Sequence, residues 1–197
     1  MSKVEKVLDM ARANNGVVTS AMVTEARLSR ALLGYMTNRG YLDKSCRGVY
    51  TLPGILSDGF YDAQTVYGKG VFSHGSALYL LGLTDRTPNQ FTMTFPSTYN
   101  LSNPKASKII CKAAIDHIYK SGIIYVSTDG GHEVRCYNME KTLCDILRGR
   151  GHEDIQLISE AFKRYAKRAD KNLPLLSEYS KQLKVEHRVR NYLEVLL

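Results

Sequence analysis

Apolar side chains recur at helical spacing along the first fifty residues, in short runs broken by glycine. Val4, Val7, Leu8 and Ala11 share one face of a helix over about 3–14, and Gly16 stands where a left-handed C-terminal cap belongs. Val17-Val18-Thr19 is too short for a helix and reads as a strand. Ser20 is placed to cap a second short helix ending near Glu25. Ser29 is placed to cap a third, running to about Arg39 with Leu28, Leu32, Leu33 and Met36 towards the core and Gly40 as its stop. Two short helices joined by a tight turn make a helix-turn-helix. Strand-like runs at 41–44 and 49–52, joined by a polar turn through Ser45, Cys46, Arg47 and Gly48, add a hairpin that would serve as a wing.

On the wheel of the third helix, Arg30, Gly34, Thr37 and Asn38 fall away from the leucines. Tyr35 sits at the margin, where its ring reads as partly buried. Arginine can donate twice to guanine, asparagine can pair with adenine, and glycine permits close approach, so these residues suit base edges in a major groove. Ser20, Ser29, Lys44 and Arg47 suit backbone phosphates, and Arg27, in the turn, joins the DNA-binding set.

Beyond residue 70 the pattern changes. Residues 73–83 read as a short buried helix begun by Ser73 and ended by Gly82, and 91–95 alternate as a strand ending at Pro96. Residues 106–119 fit helix or strand equally. Residues 122–127 and 133–137 make a hairpin turned by Asp129-Gly130-Gly131, after which the chain is helical at 139–147, 153–169, 175–184 and 186–196. Asp145 is placed to pair with Arg148 or face solvent. In the helix over 153–169, Ile155, Ile158, Phe162 and Tyr165 share one face. Lys163, Arg164, Lys167 and Arg168, with Lys171 just beyond, form a basic stripe that reads first as a solvated face and otherwise as a contact for nucleic acid or an acidic partner. The fold class expected is α+β: a winged helix-turn-helix over 1–53, a linker over 54–70, and a mixed α/β C-terminal domain over 71–197 ending in several helices.

The net charge of +8 favours an anionic partner. The excess sits at the two ends: eight basic against four acidic residues in 1–55, seven of each in 56–140, and twelve against eight in 141–197. The cysteines at 46, 111, 136 and 144 include no CxxC pair and no histidine at ligand spacing, so reduced thiols and no metal site are expected. No run is long and apolar enough to span a bilayer and the N-terminus carries no signal-peptide core, which points to the cytoplasm.

Enzymatic chemistry finds little support. Ser73, His74 and Ser76 lack a G-x-S-x-G elbow, no phosphate-binding glycine loop occurs, and no [DE]-x-K triplet of a metal-dependent nuclease is present, so a non-enzyme without cofactor is expected.

Taken together, LSRALLGYMTNRGYLDKSCRGVYTLP, FSHGSALYLLGL, FTMTFP and YNMEKTLCDIL, in that order, resemble the AbiEi antitoxins of abortive-infection systems over most of residues 3–150. The loop STYNLSNPKASK departs from that pattern, lacking the arginines expected there. The resemblance implies the antitoxin of a two-gene, type IV anti-phage system whose toxin is a nucleotidyltransferase opposed without a stable complex. It also implies an autorepressor that binds inverted repeats in its own promoter. On it, Arg30, Thr37 and Asn38 match recognition-helix positions, and Lys44 and Arg47 match the wing. With no coiled-coil seam in the sequence, a monomer binding cooperatively to two repeats is expected. Two other readings remain: a winged-helix regulator whose C-terminal domain senses a ligand, and an adaptor whose winged helix binds protein.

Overall fold

The computed structural model describes residues 2–148 and 154–196. The fold is mixed α+β and divides into two compact units. The first comprises the chain up to Gly68 together with Ser127–Val134; the second comprises Lys69–Val126 and the chain from Arg135 onward. The stretch expected as a linker, 54–70, instead carries a helix, and most of it groups with the first unit.

In the first unit α1 (Lys3–Ala13) starts at Ser2, whose hydroxyl accepts from the Glu5 N–H at 3.1 Å, and buries Val7 and Ala11. Gly16, at φ +83, must be glycine for two reasons: its backbone is left-handed, and a Cβ there would lie 2.8 Å from Ile55 Cγ1. β1 (Val17–Thr19), α2 (Ser20–Glu25), α3 (Ala31–Asn38), β2 (Asp43–Cys46) and β3 (Val49–Thr51) follow. The strands form an antiparallel sheet in the order β1-β3-β2, with Val17 and Asp43 both opposite Thr51. Val7, Ala11, Val18, Val23, Leu33, Met36 and Leu42 close one core, each large apolar side chain contributing roughly 1.5–3 kcal/mol on burial. α4 (Gly59–Val66) completes the unit.

Two caps differ from expectation. Thr19, not Ser20, caps α2, accepting from the Met22 N–H at 3.2 Å, because the strand delivers Thr19 in the extended conformation a cap requires. The cap position of α3 is Arg30, in helical conformation and without a side-chain bond; Ser29 accepts from the Ala31 N–H at 3.3 Å one residue earlier. The hairpin is tighter than expected, turning on Arg47 and Gly48 alone, with a bulge between Lys44 and Cys46.

The second unit holds β4 (Val71–Phe72), α5 (His74–Leu80), β5 (Thr92–Pro96), α6 (Ser102–Ala106), β6 (Ile110–Ala114), α7 (Asp116–Lys120) and most of β7 (Ile123–Ser127) and β8 (Glu133–Tyr137), whose facing ends group with the first unit. The helices α8 (Met139–Arg148), α9 (Ile155–Lys167), α10 (Leu173–Gln182) and α11 (Glu186–Leu196) follow. The segment 106–119, ambiguous by pattern, proves to be strand and short helix in succession. The sheet runs β6-β5-β4-β8-β7, with β5 parallel to β6 and antiparallel to β4. Its core joins Val71, Leu78 and Tyr137 to Leu143, Phe162, Tyr165 and Leu176 of the helices. Residues 140–147 of α8 are buried throughout, polar ones included. Asp145 accordingly neither faces solvent nor bonds Arg148 as expected, but accepts from Lys141 Nζ at 2.7 Å inside the unit.

Candidate nucleic-acid interface

Leu33 and Met36 are fully buried and fix which side of α3 faces the core. Opposite them, Ala31, Gly34, Tyr35 and Asn38 are all exposed, at the i, i+3, i+4, i+7 spacing of one helix face. Gly34 has ordinary backbone and open space where a Cβ would stand. Tyr35 departs from expectation: its ring is 49% exposed, with the Arg39 guanidinium 5.7 Å from its centroid. Thr37 departs in the other direction, being half-buried with its hydroxyl donated to the Leu33 carbonyl at 2.9 Å, and so leaves the outward stripe. Ala31 and Arg39 were not singled out in the sequence. The signal for Ala31 was its spacing of three from Gly34 and seven from Asn38.

Arg30, Ser29 and Arg27 are exposed on the approach to α3. Arg27 has φ 58, and Arg30 Nε donates to the Thr24 hydroxyl at 2.8 Å, which donates in turn to the Ser20 carbonyl at 2.8 Å. Lys44 and Arg47 are exposed on the hairpin. The hairpin is tied to α2 by the Ser20 N–H, which donates to the Gly48 carbonyl at 2.8 Å, so half-buried Ser20 brings its backbone to the hairpin turn. The structure thus gathers Ser20, Arg27, Ser29, Arg30, Gly34, Tyr35, Asn38, Lys44 and Arg47 in one unit.

Beside β2, burial pushes the Cys46 thiol up to about 11, helped by the charge of Asp62 and opposed by Lys44. Burial likewise raises the Asp62 carboxyl, against a hydrogen bond from Ser45.

No signal in the sequence marked the polar cluster that braces this unit. Asp58 accepts from the Phe60 and Tyr61 N–H groups at 3.1 Å each, from the Thr128 hydroxyl, and from His132 Nδ1 at 2.9 Å. His132 Nε2 lies 3.3 Å from the Asn14 carbonyl, and its ring stacks on Tyr61 at 4.2 Å. Both ring nitrogens face oxygen atoms that can accept a hydrogen bond. Asn15 Nδ2 adds a bond to the Gly131 carbonyl at 2.9 Å.

The basic stripe of the second unit is narrower than its composition suggested. Arg164 is clasped by Asp85, with one bond of 2.9 Å, and by Glu160 at 2.9 Å; the Asp85 hydrogen bond raises its pKa further. Arg168 is paired with Asp170 at 2.7 and 2.8 Å, and Lys171 Nζ donates to the Arg168 carbonyl at 3.1 Å. Lys163 and Lys167 are exposed and form no ion pair with a described residue. The buried charges of α8 brace the unit: Lys141 lies 3.6 Å from the Tyr137 ring centroid, and Glu140 accepts from the Tyr165 hydroxyl at 3.0 Å and the Asn172 N–H at 3.1 Å. Ser73 and Ser76 are buried and bonded to β5, accepting from the Thr94 hydroxyl and the Thr92 N–H at 2.9 Å each. A cavity of about 480 Å³ is lined by Arg86, Asn89, Gln90, Ile110, Lys112 and Leu157, among others.

Among the described residues no helix is long and apolar enough to cross a membrane, no cluster of three or more His, Cys, Asp or Glu could hold a metal ion, and all four cysteines are free.

No protein-family profile matches the chain, and no curated protein matches it. Among solved structures it is similar to the RV2827C protein from Mycobacterium tuberculosis, at 16% identity and a TM-score of 0.58, over 98% of this chain and 82% of that one. The likeness is one of fold, spanning both units.

Proposed function

We propose that the first unit is a winged helix-turn-helix that binds double-stranded DNA, and that the protein is an AbiEi-type antitoxin that represses its own operon. The observation that carries this reading is the exposed stripe of Ala31, Gly34, Tyr35 and Asn38 on α3, in a unit whose tight hairpin exposes Lys44 and Arg47. A helix held from behind by Leu33 and Met36 presents a rigid polar face of the width a major groove admits, and cations on a hairpin suit flanking phosphates. The sequence resemblance supports binding to inverted repeats in its own promoter, and the lack of a coiled-coil seam and of a signal-peptide core in the sequence supports a monomer that binds cooperatively in the cytoplasm. The resemblance also supports opposition to a nucleotidyltransferase toxin without a stable complex, as the antitoxin of a two-gene, type IV abortive-infection system, and the lack of catalytic motifs in the sequence supports a non-enzyme.

The test is binding of the purified chain, and of an Arg30→Ala, Asn38→Ala double variant, to DNA upstream of its own gene over a salt series, alongside growth of cells co-expressing the neighbouring gene. Tight, steeply salt-dependent binding lost by the variant, together with rescued growth, is expected. Binding no better than to random DNA, or growth arrest that the protein leaves unrelieved, rejects the corresponding half of the proposal.

One observation favours the reading of a ligand-sensing regulator. The cavity in the second unit has a volume within the range of small-molecule sites and converging polar groups at Arg86, Asn89, Gln90 and Lys112. On that reading a small anionic compound shifts DNA affinity, and a Lys112→Gln variant loses the response while keeping its DNA affinity.

A further inference from the structure

The outward stripe of α3 is chemically narrow. Ala31 offers a methyl group, Gly34 nothing, Tyr35 a ring with one hydroxyl, and Asn38 an amide that makes no hydrogen bond to a described residue. No cation stands in it. Arg30, the residue suited to guanine, lies ahead of α3 with its Nε held by Thr24 at 2.8 Å, and Thr24 is itself anchored to the Ser20 carbonyl. That tether holds its guanidinium to α2 and leaves the terminal nitrogens for a phosphate. Arg39, at the far end, lies over the Tyr35 ring.

Guanine in the major groove is read chiefly by a bidentate arginine or lysine, adenine by a bidentate asparagine or glutamine, and the thymine methyl by small apolar groups. We infer, on the reading that α3 enters a major groove, that this protein reads A·T pairs. Asn38 takes the N6 and N7 edge of an adenine, the Ala31 methyl packs on the C5 methyl of a thymine, and Gly34 lets the helix backbone close on the groove floor. Seven residues of helix rise span roughly 10 Å. The two contacts therefore fall about three base pairs apart, at roughly 3.4 Å per pair.

The experiment selects duplexes from a random pool with the full chain, then probes the selected duplex atom by atom. Each thymine in turn is replaced by deoxyuridine, removing only the methyl, and each adenine by 7-deazaadenine, removing only the N7 acceptor. The inference expects an enriched motif of A·T pairs in which one thymine and one adenine, about three pairs apart, are sensitive. Asn38→Ala should lose about 5- to 150-fold in affinity, the range of one good bidentate contact, and become indifferent to the deaza substitution. Ala31→Gly should become indifferent to deoxyuridine. Both positions are exposed, and far-UV circular dichroism confirms that the variants are folded. A motif fixed by G·C pairs, or base preference erased by Arg30→Ala and kept by Asn38→Ala, overturns the inference. Salt-dependent binding with no enriched motif overturns it too and leaves DNA binding standing, whereas no binding to any duplex at low salt removes the DNA-binding reading and this inference with it.

Discussion

Replacing His132 with alanine removes one half of a pair whose side chains are 3% and 7% exposed, and leaves the Asp58 carboxylate facing a void where Nδ1 stood at 2.9 Å. Taking one partner from a buried hydrogen-bonded pair of this kind costs about 1–3 kcal/mol, because the partner left behind stays buried without its bond. The lost stack on Tyr61 adds to that. Asp58→Ala should cost more: the same carboxylate caps α4, and a lost cap is worth about 1 kcal/mol. Asp58→Asn keeps one oxygen for the Phe60 and Tyr61 N–H groups and sets an amide NH2 against the Thr128 hydroxyl and His132, so it should fall between wild type and Asp58→Ala. Against a total stability of roughly 5–15 kcal/mol these are large losses. For a chain of this size they correspond to a fall in Tm of about 2–12 °C. The chain has no tryptophan, so the measurement is urea unfolding by far-UV circular dichroism. Native-state hydrogen exchange is added because two compact units need not unfold together. Amides of the first unit near Asn14, Phe60 and residues 128–132 should lose protection while those of α8 keep theirs. A cost below about 1 kcal/mol, the value of an exposed pair, would refute the reasoning, since it would mean that water already reaches this carboxylate.

Four further outcomes follow from the same geometry. Gly34→Ala should stabilise α3 by about 0.8–1.0 kcal/mol, since the glycine has ordinary backbone and room for a Cβ, whereas Gly34→Leu should keep the fold in thermal melts and lose DNA binding in fluorescence anisotropy. Lys44→Ala and Arg47→Ala should each weaken binding evenly across sequences and lower the slope of log affinity against log salt by about 0.9, a phosphate contact apiece; an unchanged slope for both would take the hairpin off the DNA. Cys46, with its thiol at about 11 against an ordinary 9.0, should be alkylated by iodoacetamide at pH 8 about 100-fold more slowly than a free thiol, timed by mass spectrometry. Asp62 has a folded-state pKa raised above 3.8, so its charge costs stability at neutral pH and that cost fades as pH falls through the raised value; Asp62→Asn should therefore gain on wild type near pH 7 and lose the advantage below 3.8, in paired urea titrations.

What the sequence displays, and what it hides, follows from the range over which each feature is decided. The elements of the first unit are legible because each buries residues set by local spacing: Val7 with Ala11, Leu33 with Met36, and three β-branched residues at 17–19. Caps slip by one position because a strand ending in Thr19 hands α2 a hydroxyl already in extended backbone, and Ser20 beside it carries the same chemistry. The pairing of Arg164 within the basic stripe of α9 is hidden for a long-range reason. Asp85, 79 residues upstream of Arg164, neutralises it, and no local pattern announces that meeting. His132 and Asp58, 74 residues apart, are hidden in the same way.

The errors on α3 itself are instructive because they concern adjacent residues. By pattern Tyr35 stands at the margin of the helix as a partly buried ring and Thr37 points outward, and the structure has Tyr35 49% exposed and the threonine hydroxyl donated to the Leu33 carbonyl. Angle around the helix decided both, and chemical character neither. Leu33 and Met36 are three residues apart and fully buried, so the side opposite them is necessarily occupied by 31, 34, 35 and 38. An interface of this kind is selected by the core before any ligand is considered. On the DNA-binding reading, a new specificity is then confined to four positions, while changes at Leu33 or Met36 cost the cavity term of a core residue, about 2–5 kcal/mol, with no change in what the helix offers. A Met36→Ala variant should accordingly unfold more readily and, where still folded, select the same duplexes as wild type. A shift in the selected bases would show that the helix turns on its core, and that the outward stripe is not fixed from within.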